Sequence, residues 1–379
     1  LPDAPIYLDY QATTPLDPRV LDAMLPFYRQ RFGNPHSANH AYGWQAEEAV
    51  ETARRHVAKL IGARPAEIIF TSGATEANNL SIKGMACPGC HIVTVATEHE
   101  CVLAAAEAVE RGGTRVTYLP VGADGLIDPS RVAASLTPET VLVSVMAVNN
   151  DIGVIQNIQE IAALAHTQGA LFHSDAAQAV GKIALDVAAE TIDLMSLSAH
   201  KIYGPMGIGA LYVRTGVLER LQPQLHGGGQ ERGLRSGTLP TALCVGFGEA
   251  CRIALLEFEA EAGRLLAARD RLLAQLSEAA PDMVVNGSLT QRIPGNLNIA
   301  FPGIEAEALI ASLPELALAT GSACSSAVNE PSHVLTALGL SPALAAGSLR
   351  IGFGRFTTDE DLDRAGELIS KAVKELRAC

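Results

Sequence analysis

The chain is short of positive charge, and that shortage excludes one large class of function. Lys and Arg number 28 against 41 Asp and Glu, a formal net charge of -13. A general binder of phosphate backbones needs a basic face. No block of Lys or Arg supplies one, so direct nucleic-acid binding is not expected. Long apolar runs are missing too. None approaches the roughly 18–20 residues of a membrane span, so no membrane partner is expected. The opening Leu1-Pro-Asp-Ala-Pro carries neither a basic leader nor a hydrophobic signal core. Seven cysteines, an odd number scattered over 379 residues, lack the spacing of a secreted disulfide framework. A reducing, cytoplasmic location is the expectation. Internal repeats, low-complexity tracts, a Walker loop and a GxGxxG fingerprint are all absent. Cys87-Pro-Gly-Cys90 could be a redox pair or half of a zinc site; no second CxxC completes the latter, and a surface turn is the first reading.

What remains is abundant apolar sequence, 48% of the chain, with only 18% charged residues. At about 100–200 residues per domain the length suits two domains. Apolar positions from Ala46 to Ile61 recur at helical spacing, and Gly62 stands where a C-terminal cap belongs. Short strands are predicted at Glu67–Phe70, Ile92–Ala96, Arg115–Val121, Val141–Val148, Leu171–Asp175, Leu194–Leu197 and Ile208–Val213. Helices at Val102–Arg111, Pro129–Leu136 and Ile158–Gln168 separate most of them. Strands apolar on both faces and alternating with helices predict an α/β fold with a mostly parallel central sheet. A long helix over Pro240–Ala280 leads to a different pattern: strands at Met283–Val285, Asn296–Phe301 and Leu349–Gly352, and a helix at Glu305–Ser312. Thr357 and Glu360 have the spacing of a capping box for the last helix. The expected division is a large domain over 12–260 and a smaller α+β domain over 1–11 and 261–379.

In such sheets functional groups gather beyond the carboxyl ends of the strands. Thr71-Ser72, Glu98-His99, Asn149-Asn150, His173-Ser174-Asp175 and His200-Lys201 all follow apolar runs in this way. Lys201 reads either as an ordinary solvated lysine or as an amine kept for chemistry, since a desolvated lysine forms Schiff bases readily. Thr71-Ser-Gly-Ala-Thr-Glu enters a helix through a Gly turn, which makes either a plain cap or a phosphate cradle. Asp175 could cap a helix, ligate a metal or pair with a protonated ring nitrogen. No second carboxylate or histidine stands at ligand spacing beside it, so metal is the weakest of the three, and no metal is expected. Lysine, acid and anion cradle together meet the needs of pyridoxal 5'-phosphate. His99 could be structural, or could stack on that ring and move protons. Cys324 sits among small polar residues, Gly321-Ser-Ala-Cys-Ser-Ser, and reads as an exposed loop thiol, a candidate nucleophile.

At this point the residues carry a resemblance. Tyr7-Leu-Asp-Tyr-Gln-Ala-Thr-Thr-Pro, Gly33-Asn-Pro-His-Ser, Thr71-Ser-Gly-Ala-Thr-Glu, Thr97-Glu-His and Val148-Asn-Asn-Asp-Ile-Gly begin the series. His173-Ser-Asp-Ala-Ala-Gln, Ser198-Ala-His-Lys, Arg235-Ser-Gly-Thr and Gly321-Ser-Ala-Cys complete it. Over nearly its whole length the chain resembles the pyridoxal-phosphate cysteine desulfurases of the class V aminotransferase group, with aminotransferase fold type I.

The resemblance implies that Lys201 is the Schiff-base lysine, that Asp175 pairs with the pyridinium nitrogen and that Gln178 bonds the ring hydroxyl. His99 would stack on the ring, while Ala74, Thr75, Ser198 and His200 cradle the phosphate, joined by Thr238 from the other subunit of a homodimer. Asn150 and Arg350 would hold the substrate carboxylate. It implies that Lys201 takes the Cα proton of L-cysteine and that Cys324 receives the sulfur as a persulfide, with alanine released. The Cys324 loop resembles the long-loop subgroup that serves iron–sulfur scaffold proteins, with other sulfur acceptors open. Alternatives are a selenocysteine lyase or aminotransferase of the same fold, or a non-catalytic sulfur-relay or scaffold protein. Retention of Lys201, Asp175 and His99 speaks against the last. Cys101 departs from the family pattern, which has a small apolar residue there; it is expected to be either a second thiol near the site or an inert buried one.

Overall fold

The computed structural model describes residues 4–320 and 332–378. After the short strand β1 (Ile6–Tyr7), the first helix α1 (Pro18–Arg29) starts where the Asp17 carboxylate accepts the Arg19 N–H. In sequence Pro15 and Pro18 read as punctuation after the extended segment from Ile6 to Tyr10; Pro18 is in fact the first helical residue, where a missing N–H costs nothing. Helix α2 (Ala41–Leu60) ends as expected at a left-handed glycine, Gly62 with φ +68°. Then β2 (Ile68–Thr71), α3 (Ala74–Met85), β3 (His91–Val95), α4 (Glu100–Glu110), β4 (Arg115–Leu119), α5 (Pro129–Ser135) and β5 (Thr140–Ser144) alternate. The series continues with α6 (Ile158–Thr167), β6 (Leu171–Asp175), β7 (Leu194–Ser198) and β8 (Gly209–Val213). The strand predicted over 141–148 stops at Ser144, although Val145 and Ala147 still donate to the His173 and Asp175 carbonyls of β6.

Seven strands form one sheet in the order β2-β8-β7-β6-β5-β3-β4. Only β8 runs antiparallel to its neighbours, so the other six direct their carboxyl ends to the same edge. Alternation along each strand buries both faces. Val93, Val143, Phe172 and Met195 join a core shared with α1, α2 and α6, whereas Ile92, Leu142, Leu171 and Leu194 pack with residues of α3 and α4.

Helix α7 (Thr241–Ala279) is the predicted long helix and touches two cores. Phe247 and Cys251 belong to the first, while Leu265, Leu272 and Leu276 belong to a second. That second core is completed by β9 (Val284–Val285), β10 (Asn296–Ala300), α8 (Ala306–Ala311), β11 (Leu316–Ala317) and β12 (Ala319–Thr320). Then come α9 (His333–Ala337), α10 (Pro342–Ala346), β13 (Ser348–Gly352) and α11 (Asp359–Ala378). Four strands pair as β12-β13-β10-β9, all antiparallel, and β1 pairs with β11.

The cap of α11 lies one residue beyond the predicted one. Thr358 and Asp361 exchange the reciprocal bonds, at 3.0 and 2.9 Å. Thr357 is spent on the preceding turn, where its hydroxyl accepts the Gly354 N–H.

Candidate active site

The carboxyl edge of the large sheet opens on a cavity of about 460 Å³. The segments after β2, β3, β5, β6 and β7 all reach it, which is what six co-directed strands require. At its centre stands Lys201, in a short helical turn that follows β7. Its Nζ donates to the carbonyls of Gln11 (2.5 Å) and Ala12 (2.7 Å). Those carbonyls are held in place because the N-terminal strand-like segment is tied to the same turn. Thr14 donates to His200 O from both its N–H and its hydroxyl, and His200 Nδ1 meets the Thr13 hydroxyl at 3.0 Å. Burial, with the charges of Lys201 and Lys182, pushes the His200 imidazole down to about 4, so it is neutral at pH 7.

Asp175 lies at the end of β6 and is 5% exposed. Its Oδ1 accepts the Ala177 N–H (2.9 Å), and Oδ2 accepts Asn78 Nδ2 (2.6 Å). The acid therefore makes a cap-like bond and still lines the cavity. Asn78 also reaches Cys101 Sγ at 3.2 Å, joining α3 to the start of α4. Cys101 lines the cavity and is half-buried, the first of the two outcomes foreseen for it.

His99 is the N-cap of α4. Its Nδ1 accepts the Cys101 N–H at 3.2 Å and lies 3.1 Å from Cys101 Sγ, so a neutral ring carries its proton on Nε2. Beside it Glu98 is fully buried, with Oε1 accepting the Met146 N–H and Oε2 without a protein partner. Burial, then the charge of Asp175, holds Glu98 well above the usual carboxylate range.

The turn into α3 follows from glycine geometry. Gly73 precedes α3 with φ +153°, and nothing would meet a Cβ there within 4 Å. A Cβ on Gly209 would lie 2.7 Å from Gly73 Cα, so β8 can approach the turn only as glycine. The first N–H groups of α3, from Ala74 and Thr75, have no acceptor within the helix. Both residues line the cavity with Ser198 and His200. Arg235 pairs with Glu76 at 2.8 Å, which links two of the sequence motifs in space.

At the far wall Arg350 is 2% exposed. One terminal nitrogen bonds Asp9 Oδ1 (2.8 Å) and the other Asn150 O (3.2 Å). Its Nε and the side-chain oxygen of Asn150 are buried without a protein partner. The unsatisfied donor, Arg350 Nε–H, fits an incoming carboxylate; the Asn150 oxygen is an acceptor and would need a donor. The buried orphan donor, the open glycine cradle and the acid beside the lysine all fit a pyridoxal phosphate with an amino acid on it.

The structure thus gathers Lys201, Asp175, Gln178, His99, Ala74, Thr75, Ser198, His200, Asn150 and Arg350 on one cavity. Thr238 is exposed and lies outside that cavity in its own chain. Cys324 and Ser325 lie outside the described residues. Sequence reasoning missed the backbone carbonyls of Gln11 and Ala12, Asn78 and the partners of Arg350. Glu98 was visible only as the neighbour of His99. Cys87-Pro-Gly-Cys90 forms the expected exposed turn, with Cys90 N–H bonded to Cys87 O and Gly89 at φ +81°. The two sulfurs are joined, the redox-pair alternative of the sequence reading. The turn brings the Cα atoms to 5.3 Å, within disulfide range.

Residues 6–365 match the family described as aminotransferase class-V. "Cysteine desulfurase IscS" of Rickettsia rickettsii (strain Iowa) is 52% identical over 378 residues, covering 99% of this chain and 92% of that protein. "Probable cysteine desulfurase, mitochondrial" of Dictyostelium discoideum is also 52% identical, covering 98% and 84% respectively. Among solved structures, a "NifS-like protein" superposes with a TM-score of 0.90 at 34% identity, covering 99% of this chain and all of that one. The structure described as "SspA in complex with cysteine" gives a TM-score of 0.81 at 38% identity, covering 93% and 99%.

Proposed function

The chain belongs to the class-V aminotransferase family and is a cysteine desulfurase, and from that premise we propose how its own residues divide the work. The family is pyridoxal-phosphate dependent. When bound, that cofactor supplies an electron sink that weakens bonds next to the substrate amine. Lys201 would hold it, and its amine, once free, would take the Cα proton of L-cysteine. Asp175 would pair with the ring nitrogen, Gln178 would donate to the ring oxygen, and His99 would lie against the ring. The N–H groups of Ala74 and Thr75, with Ser198 and His200, would take the phosphate. Thr238 serves the same role in the partner subunit of a homodimer.

Arg350 and Asn150 hold the substrate carboxylate. The Cys324 thiolate then attacks the cysteine sulfur. The C–S bond breaks with its electron pair left on Cβ, and an S–S bond forms on Cys324. Alanine leaves once Cβ has taken the proton given up by the substrate thiol and Cα has regained the one held by Lys201. Sulfur passes from Cys324 to an iron–sulfur scaffold or another acceptor, in the cytoplasm. The reading carries with it a large domain over 12–260 and a small one over 1–11 and 261–379, which the separate apolar cores support.

The observation that carries this reading is the single cavity in which an amine, an acid, an imidazole and an unsatisfied guanidinium N–H converge. Its test is stoichiometric. Purified holoenzyme given L-cysteine without reductant should yield one alanine per added protein sulfur, with mass spectrometry placing that sulfur on the Cys324 peptide. Alanine without protein-bound sulfur would point to a different chemistry.

Arg350 gives a second test. Arg350→Lys keeps the charge but loses the fork, so KM for cysteine should rise about 10- to 100-fold, the range set by a charge-assisted hydrogen bond. An unchanged KM in steady-state assays would remove Arg350 from the carboxylate site.

A further inference from the structure

We propose that Lys182 is a positioning residue for the reaction: it fixes which end of the Gln178 amide faces the cofactor cavity, and it sets a second cation behind Lys201. This rests on the cofactor reading above. Residues Ala176 to Ile183 turn helically, with the N–H groups of Ala179 and Val180 bonded to Ala176 O, and those of Lys182 and Ile183 bonded to Ala179 O. Lys182 therefore stands four residues from Gln178, on the same side of the turn. Gly181 permits this path with φ +71°, where a Cβ would crowd Ala254 and Ile202 at 3.1 Å.

Lys182 Nζ donates to Gln178 Oε1 at 2.7 Å. An ammonium has donors only, so the oxygen of the amide must face it. The nitrogen end is then turned to Gln11 O (2.8 Å) and the cavity. That carbonyl also accepts from Lys201, so it is a shared restraint. Lys182 restrains the amide from the other side and does not depend on where the Lys201 amine goes.

The charges around Lys182 are unbalanced. As a residue it is half-buried, but its amine is desolvated. It borders a small cavity with Tyr10, Gln11, Tyr203 and Glu261. Glu261 is committed elsewhere, accepting from Tyr203 Oη and from Arg355 Nε at 2.9 Å each. Lys182 is in no ion pair among the described residues. His200 feels both lysines, and Tyr10 and Tyr203 stay protonated because burial raises them. Desolvation, then the charge of Lys201, pushes Lys182 down to about 7, with Glu261 opposing. By reciprocity Lys182, in its protonated form, disfavours a proton on the Lys201 nitrogen, most fully below pH 7 and less as Lys182 itself loses its proton. A base that must accept a proton near neutrality is served by that neighbour.

The test uses holoenzyme and three variants: Lys182→Met, Lys182→Gln and Lys182→Arg. The readout is the pH midpoint at which the visible absorption band of the bound cofactor changes. Met and Gln should raise that midpoint by about one unit, the shift expected of losing a nearby cation. Arg should return it toward wild type. Cofactor affinity, measured by fluorescence, should weaken about 3- to 10-fold in Met, the loss of one hydrogen bond's restraint, and less in Gln. A midpoint that stays put in both Met and Gln overturns the proposal. If Lys182→Met does not fold, Lys182→Gln decides by the same criterion. A wild-type protein with no pH-sensitive band at all would instead sink the cofactor assignment on which this rests.

Discussion

Lys201→Ala is expected to remove the pH-sensitive visible band of the lysine-bound cofactor and to lower alanine release from cysteine by about 10²–10⁴-fold or more, the range for loss of a positioned acid–base group. The physical basis is that Lys201 has two duties. Its amine must bond the cofactor and, once free, must reach the Cα proton. In the structure that amine is aimed by the Gln11 and Ala12 carbonyls, 2.5 and 2.7 Å away. Alanine keeps the turn but supplies no nitrogen. Lys182 does not substitute, because its own nitrogen is bonded to Gln178 Oε1 on the far side of that amide. Absorption spectra across pH, with cofactor content measured after denaturation, make the check. A variant that keeps the wild-type band and its pH response shows that another group holds the cofactor.

The second large effect belongs to Cys324. Cys324→Ala should bind cofactor normally and still change its absorption when cysteine is added. Sulfide release under reducing conditions should fall by about 10³-fold or more, as for loss of a nucleophile. Splitting the two readouts matters. A residue needed only for folding would lower both, whereas a sulfur acceptor lowers the second alone. Normal sulfide release from Cys324→Ala would mean that another thiol takes the sulfur. Cys101 would be the first to examine, since it lines the same cavity. Cys244 and Cys251 would not, because burial raises both thiols, Cys244 to about 12, and leaves them unreactive.

Particular residues show how far sequence pattern reached. Strands such as Leu171–Asp175 were legible to the residue because an apolar run ends abruptly in polar residues with a job. Helix α1 was not, since a proline at a helix start looks in sequence like a proline that breaks one. The α11 cap was misplaced by one residue because Thr357 and Thr358 are chemically equivalent in sequence, and only the turn at Gly354 tells them apart. Asp175 had three open readings. The structure narrows them by showing one oxygen in a local cap and the carboxylate on the cavity wall.

Lys201 began as a charged residue at the end of an apolar strand. Sequence by itself determined the alternation of strands and helices, the crowd of polar residues past the strand ends, and the chemistry those residue types can perform. These are local properties, written in periodicity and side-chain type. Tertiary structure alone decided which groups meet: the Gln11 and Ala12 carbonyls that aim Lys201, the Asn78 bond to Asp175, the buried Glu98 whose proton affinity burial raises, and the unsatisfied Arg350 Nε. It also set Lys182 behind Gln178. Each depends on distance and desolvation between residues far apart in the chain, which no spacing in a sequence encodes.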